Sequence, residues 1–375
     1  MRKTLVLGAT LFLMALPAWA AGPDAIAKSD RSLWPDALDS AAGFDRASRA
    51  EILVFANALA EIADGDDATL MNIFHIKAVD RATIQRVRTR LMSRLLENFK
   101  TASAACTDSE PFCPPATTQA GLVEAGQKLP DQLPQKYRPW YDNAATFHRL
   151  YVGELVRLAA LFSKVSSEID TYGPQERNGL ELPDRHFLLT FDDGPTARGG
   201  TTDTLLPVLQ QNGVHGMFYL LGERLKARLQ ADNAETLQKM YAGQCLALHG
   251  WKHESHQKWD QWQSSILDTR DLVKNTWPDA YRPYFRPPYG QRRSDSGAFF
   301  AGNNLTVALW NIDSQDWNAK VSEQDAAQRV LTLMLLWRSG VILFHDVHTK
   351  AVTAVPWVMD QTRQANVVWD DCRQY

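Results

Sequence analysis

The chain has 375 residues, 45% of them hydrophobic and 22% charged, a normal globular composition long enough for one large domain or two smaller ones. Its formal net charge is −3. No basic block and no basic-aromatic interleaving is present, which argues against a nucleic-acid partner.

The first twenty residues read as an export signal. Met1-Arg2-Lys3 is a basic head, Thr4 to Pro17 is an apolar run too short for a comfortable membrane span, and Ala18-Trp19-Ala20 is an A-x-A cleavage signal. A retained membrane anchor is the alternative. Cleavage after Ala20 removes Arg2 and Lys3 and takes the formal charge from −3 to −5. The mature chain is then expected to have no membrane span and to be periplasmic or extracellular. Export permits disulfides among Cys106, Cys113, Cys245 and Cys372. Cys106 and Cys113 flank a short loop and form the first expected pair. Cys245 with Cys372 is the second, with buried free thiols as the alternative.

The next stretch is helical in texture. Apolar residues recur at helical spacing over 49–64, 82–99 and 146–165, and strand signals are scarce. Residues 107–139 are rich in proline and polar residues and read as a long loop with one short helix at most. Residues 21–175 are therefore expected to form an all-helical N-terminal domain. Thr171 to Asp184, with its glycines, proline and charges, is the expected boundary.

Beyond it the texture changes. Candidate strands at 186–191, 214–220, 245–248, 281–286, 305–312, 341–344 and 366–369 alternate with helical patterns such as 202–211, 259–276 and 323–338. Strand then helix, repeated about seven times, is the pattern of a parallel α/β sheet or barrel over residues 184–375. In such barrels reactive groups sit at the C-terminal ends of strands.

Polar residues fall at those ends. The first strand ends in Asp192-Asp193, the third in His249-Gly250-Trp251-Lys252-His253 and the fourth in Arg286-Pro287-Pro288-Tyr289-Gly290. The fifth ends in Asp313-Ser314-Gln315-Asp316-Trp317 and the sixth in Leu343-Phe344-His345. Each motif alone is weak: a His-x3-His pair is commonly incidental, and Asp-Asp-Gly is commonly a turn. Their conjunction is far more specific. Two neutral imidazoles and one carboxylate are a common ligand set for a divalent cation. A cation also resolves the repulsion between adjacent aspartates, since one binds it and the other stays ionised beside it and an arginine.

These five motifs, in this order and beginning with Thr190-Phe191-Asp192-Asp193-Gly194-Pro195, resemble the polysaccharide deacetylase family, or NodB-homology domain. The resemblance covers about Asp184 to Tyr375. It implies a deformed (β/α) barrel and a metal, most often zinc. It implies that Asp192 is the general base, that Asp193, His249 and His253 bind the metal, and that Arg286 holds Asp192. The backbone N–H of Tyr289 would stabilise the oxyanion, Trp317 and Leu343 would line a pocket for the acetyl methyl, and His345 would be the general acid, with Asp316 raising its pKa. One position departs from the pattern: Gly250 stands where the family has Ser or Thr, a hydroxyl that would steady the loop between the histidines. His256 is assigned a supporting or surface place rather than a ligand's, and Asp346 that of a structural hydrogen-bond acceptor. The activity implied is removal of N-acetyl groups from an N-acetylglucosamine-containing polysaccharide such as peptidoglycan, poly-N-acetylglucosamine or an exopolysaccharide. An O-acetyl esterase on a glycan and a non-catalytic glycan-binding envelope protein are the alternatives.

Overall fold

The computed structural model describes residues 25–63, 65–107 and 110–375, so the expected export signal lies outside the described residues. Five α-helices come first: α1 (Ala41–Ala63), α2 (Asp67–Phe74), α3 (Arg81–Ala102), α4 (Gln119–Gln132) and α5 (Arg138–Leu161). α1 and α3 fall on the predicted helical segments. α4 is a full helix inside the predicted loop, started by Thr118, whose side chain accepts from Gly121 N–H. α5 begins at Arg138, with Pro139 in its first turn where no N–H is needed, and ends at Leu161 rather than at 165.

Strands and helices then alternate: β1 (Glu176–Arg177), β2 (His186–Asp192), α6 (Thr201–Gln211), β3 (Met217–Leu220), α7 (Gly222–Ala231), α8 (Ala234–Met240) and β4 (Cys245–Leu248). They continue as α9 (Trp262–Thr276), β5 (Tyr281–Phe285), α10 (Gly297–Gly302), β6 (Thr306–Ala308), β7 (Ile312–Asp313), α11 (Glu323–Trp337), β8 (Gly340–His345), α12 (Lys350–Gln361) and β9 (Val368–Trp369). The sheet runs β1-β6-β5-β4-β3-β2-β8-β7, with β9 beside β2, and its pairings are parallel. β2, β3 and β4 are almost wholly buried, because a parallel sheet is covered on both faces and its strands are continuous apolar runs rather than alternating ones. The fold is the deformed (β/α) barrel expected, preceded by a helical region.

Two strand assignments need correction. The expected boundary stretch is itself part of the sheet: Glu176 and Arg177 pair with Val307 and Ala308. The predicted strand 305–312 is two strands on opposite sides of the sheet, β6 next to β1 and β7 on β8. Side chains interrupt the ladder between them. Arg286 takes the carbonyls of Ala308 and Leu309, and Asn311 bonds Ser339 O and Val341 N–H. The chain thus steps from one side of the barrel to the other across Leu309–Asn311.

The helical region and the barrel share one contiguous apolar core. α11 shows why. Every residue from Ala326 to Trp337 is buried, Gln328 and Arg329 included, and a helix buried on all sides needs cover on all sides. The sheet covers one side. On the other, Phe55 of α1 meets the Trp337 ring at 5.4 Å, and Trp337 Nε1–H donates to Tyr151 of α5 at 3.0 Å. Buried Arg329 pairs with Glu154 of α5 at 2.7 Å. Both expected disulfides are present, Cys106–Cys113 and Cys245–Cys372. The second spans 127 residues and ties β4 to the C-terminal end, worth about 5 kcal/mol in the chain-entropy account.

Candidate active site

The register of the sheet assembles the motif residues. Asp192, the last residue of β2, lies directly opposite His345, the last of β8, and beside Tyr219 of β3. His249 follows β4, and Arg286 follows β5. Strands of near-equal phase therefore deliver five sequence-distant motifs to one end of the barrel.

Arg286 is fully buried. Its Nη1 donates to Asp192 Oδ1 at 2.9 Å and to Thr190 Oγ1 at 2.7 Å, its Nε to Ala308 O and its Nη2 to Leu309 O. The guanidinium also lies 4.0 Å from the centre of the Tyr219 ring. A charge this deep is tolerated because it is paired and hydrogen-bonded, and its fixed fork aims one carboxylate oxygen of Asp192. The other oxygen of Asp192 lies 3.9 Å from His249 Nε2.

Asp193 stands at positive φ, +79°, and its carboxylate, like that of Asp192, approaches His249 Nε2. Its Oδ1 is 3.2 Å from His249 Nε2 and 3.3 Å from His253 Nε2. The same oxygen is buried with no hydrogen-bond partner meeting normal geometry. Ligand atoms around a tetrahedral cation with bonds of about 2.0–2.1 Å must be about 3.3 Å apart, so Asp193, His249 and His253 fit a divalent metal. The other ring nitrogens are engaged: His249 Nδ1 with Arg286 O at 2.7 Å, and His253 Nδ1 with the Tyr289 hydroxyl at 3.0 Å. The Arg286 carbonyl must accept from His249 Nδ1–H, which leaves Nε2 of that ring as the lone-pair donor. Burial, then the neighbouring His249, lowers the His253 pKa to about 4, so its imidazole is neutral at pH 7. Burial would raise Asp193, but the neighbouring His249 and the His345 charge outweigh it and hold the carboxyl well below the usual range.

On the other side of the site His345 Nδ1 is 2.7 Å from Asp316 Oδ1, and Asp316 Oδ2 accepts His345 N–H at 2.8 Å. Burial works against the imidazolium, but the Asp316 charge and hydrogen bond dominate and raise the His345 pKa to about 10. Buried Asp346 accepts from Thr202 Oγ1 at 2.8 Å, and burial pushes it up to about 7. Trp317 is half-buried and Leu343 buried. Both line a cavity of about 300 Å³ together with Asp192, Asp193, His249 and His345. Tyr289 sits on its rim, 48% exposed.

Sequence reasoning missed two contributions. The Tyr289 hydroxyl on His253 is one, since the sequence points only to its backbone N–H. The other, Ser265, acts with His256, which has the supporting place expected, to compensate for Gly250, whose φ is +87°. A Cβ there would lie 2.6 Å from His256 Cε1 and 3.0 Å from Ser265 Oγ. The space for a side chain at 250 is thus filled by the buried His256 ring and the Ser265 hydroxyl. That hydroxyl accepts Trp251 N–H at 2.7 Å and lies 3.1 Å from His256 Nε2. No spacing rule points to Ser265, which reaches the loop from α9.

Comparison with known proteins agrees with this geometry. The family model described as polysaccharide deacetylase matches residues 179–307. This part of the chain belongs to the polysaccharide deacetylase family. As a family deacetylase it is a hydrolase. The chain is 29% identical over 217 residues to a peptidoglycan-N-acetylglucosamine deacetylase of Bacillus cereus, covering 55% of this chain and 74% of that one. It is 26% identical to chitin deacetylase 1 of Cryptococcus neoformans, covering 50% of this chain and 43% of the relative, less than half its length. Among solved structures, a family 4 carbohydrate esterase from Streptomyces lividans in complex with acetate is 30% identical, with a TM-score of 0.40, over 48% of this chain and 88% of that one. Among the deacetylase's described residues no helix is long and apolar enough to cross a membrane.

Proposed function

We propose that this protein is an exported, metal-dependent hydrolase that removes N-acetyl groups from an N-acetylglucosamine-containing polysaccharide: peptidoglycan, poly-N-acetylglucosamine or an exopolysaccharide. The observation that carries the reading is the Asp193–His249–His253 group, flanked by the Asp192–Arg286 pair on one side and the His345–Asp316 pair on the other. Residues 1–20 are the export signal, 21–175 the helical half and 184–375 the deacetylase half. Two disulfides and the A-x-A signal support a periplasmic or extracellular place.

A divalent cation, zinc by default, held by Asp193, His249 and His253 would supply Lewis-acid chemistry and acidify water. Asp192, aimed by Arg286, takes a proton from the attacking water. The backbone N–H of Tyr289 donates to the carbonyl oxygen as negative charge develops. Trp317 and Leu343 wall the space for the acetyl methyl. His345, kept protonated by Asp316, gives its proton to the leaving nitrogen. Amide nitrogen leaves poorly without that proton, and such general-acid help is typically worth about 10²–10⁴-fold. An ester needs it less, so the strongly raised His345 favours an amide substrate over an acetate ester.

The test is acetate release by the mature protein, metal-stripped and zinc-reloaded, from N-acetylglucosamine oligomers, peptidoglycan and O-acetylated xylan in parallel. Zinc-dependent acetate from an N-acetyl substrate is expected. Release from the xylan alone would make it an O-acetyl esterase, and release from none, with zinc bound, would favour a binding protein.

A further inference from the structure

Tyr289 occupies an awkward position for a residue asked to aim a backbone donor. Its φ is +59°, in the left-handed region that a non-glycine residue enters only when its surroundings enforce it. Its side chain is half exposed and touches the His253 ring, with the hydroxyl 3.0 Å from His253 Nδ1. The backbone of the turn is held by further groups. Two residues after Gly290, the Arg292 side chain is buried, and all five of its guanidinium N–H groups are used. Nη1 donates to Gly290 O at 2.9 Å and to Ser167 O at 2.7 Å. Nη2 donates to Asp170 O at 2.8 Å and to Glu176 Oε2 at 2.5 Å, and Nε to Glu176 Oε1 at 2.7 Å. Ser166 Oγ bonds both backbone groups of Arg292, accepting its N–H at 2.6 Å and donating to its O at 2.8 Å. Asp170 is held in turn by Arg86 and Arg90 of α3. Gly290 packs so closely on this segment that a Cβ would lie 3.0 Å from Glu168 N and 3.3 Å from the Ser167 backbone. Ser166, Ser167 and Glu168 also line the cavity that holds the candidate metal ligands.

We infer that Arg292 is a positioning residue, clamping Ser166–Asp170 from the end of the helical half onto the Pro287–Gly290 turn, so that the helical half holds the Tyr289 N–H in place for the reaction. The inference rests on the deacetylase reading above. It gives the helical half a part in catalysis: the five motifs supply the reacting groups, and a segment outside them fixes the alignment of one donor.

The test uses the full mature chain, reloaded with zinc. Arg292→Lys keeps the charge but has three donors and no planar fork for Glu176 and three carbonyls. Ser166→Ala removes one hydroxyl and keeps the experiment decisive if the lysine variant does not fold. Kinetics on an N-acetylglucosamine oligomer, zinc affinity, thermal unfolding and inhibition by a methylphosphonamidate that mimics the tetrahedral intermediate are measured together. In both variants kcat should fall about 10- to 100-fold at temperatures well below unfolding, since misplacing a preorganised donor costs on that order. KM and zinc affinity should stay within about threefold, and the phosphonamidate should weaken in step with kcat, as a lost transition-state interaction requires. A lower unfolding temperature with kcat unchanged would overturn the inference and leave the deacetylase intact. An inactive wild type would overturn the deacetylase reading, and the inference with it.

Discussion

The strand ends of the barrel and the segment Ser166–Glu176 meet at one site but are built by different rules. At the strand ends, the backbone ladder does the placing: Asp192 faces His345 because β2 and β8 are parallel and in register. In the segment, side chains bonding backbone do the placing: Ser166, Asp170 and Glu176 converge on Arg292 from a stretch whose only regular element is the two-residue β1. The first kind of placement leaves motifs in the sequence. The second leaves almost none, because any residue with a hydroxyl, carboxylate or carbonyl in the right place will serve.

The largest expected effects test the strand-end groups. Asp192→Asn should lower turnover by about 10²–10⁴-fold, the range of general-base catalysis, with zinc still bound. Asp193→Asn should lose zinc affinity as well as activity, because its Oδ1 is the carboxylate oxygen between the two imidazoles. Acetate release and zinc titration on the same samples decide it. Equal zinc loss in both variants would mean that the two aspartates do not divide the work.

The next effect is on pH dependence. His345 has its pKa raised to about 10 against burial, chiefly by Asp316. The folded state therefore holds that proton more tightly than the unfolded chain. The pair contributes stability fully below about pH 6.5, the ordinary imidazole value, and loses it as pH rises through 10. If protonated His345 is the acid, the alkaline limb of kcat should lie far above the imidazole range in the wild type. In Asp316→Asn it should move down toward 6.5, with thermal stability above pH 7 falling too. An alkaline limb unmoved by this substitution would take His345 out of the acid's role.

How much of this was legible in the sequence follows the same division. The strands, their parallel order and the polar residues at their ends were readable, since long apolar runs and motifs at fixed offsets survive as patterns. The split of 305–312 was not. Thr306 to Ile312 is one apolar run, and the break depends on Arg286 and Asn311 taking backbone groups that a strand would have used. The union of the helical half with the barrel was not legible either: α11 is buried around its whole circumference, but it carries Gln328, Arg329 and Thr332, and periodicity does not say which element covers them. The helix α4 hid in a proline- and polar-rich stretch because its stability comes from Leu122, Gly126 and Leu129 packing inward rather than from propensity.

The loop between His249 and His253 sharpens the comparison, because there a motif position is empty and a residue outside the motif fills it. Ser265→Ala should weaken zinc by about 10- to 100-fold, the usual cost of losing a group that orients ligands. Trp251 N–H would lose its acceptor and His256 the partner of its Nε2. Restoring a hydroxyl by Gly250→Ser should not rescue that variant, since the new Cβ would run into the His256 ring at positive φ. With His256→Ala added, the rescue has room. Rescue by Gly250→Ser alone would mean that His256 does not occupy the vacated place.

The smallest effect is expected at the Tyr289 hydroxyl, and it separates the two roles of one residue. Tyr289→Phe removes the bond to His253 Nδ1 but keeps the ring, which meets the His253 ring at 4.5 Å, and keeps the backbone N–H. The hydroxyl is on the half-exposed rim, where water can replace it, so zinc affinity should fall about tenfold at most. At saturating zinc, kcat should be nearly that of the wild type, because the donor to the oxyanion is untouched. The clamp variants should show the opposite pattern, with zinc affinity kept and kcat lost. Opposite patterns from the two sides of one turn would separate what the motif contributes from what the helical half contributes; a loss of kcat in Tyr289→Phe at full zinc occupancy would place the hydroxyl, and not only the N–H, in contact with the reacting acetyl group.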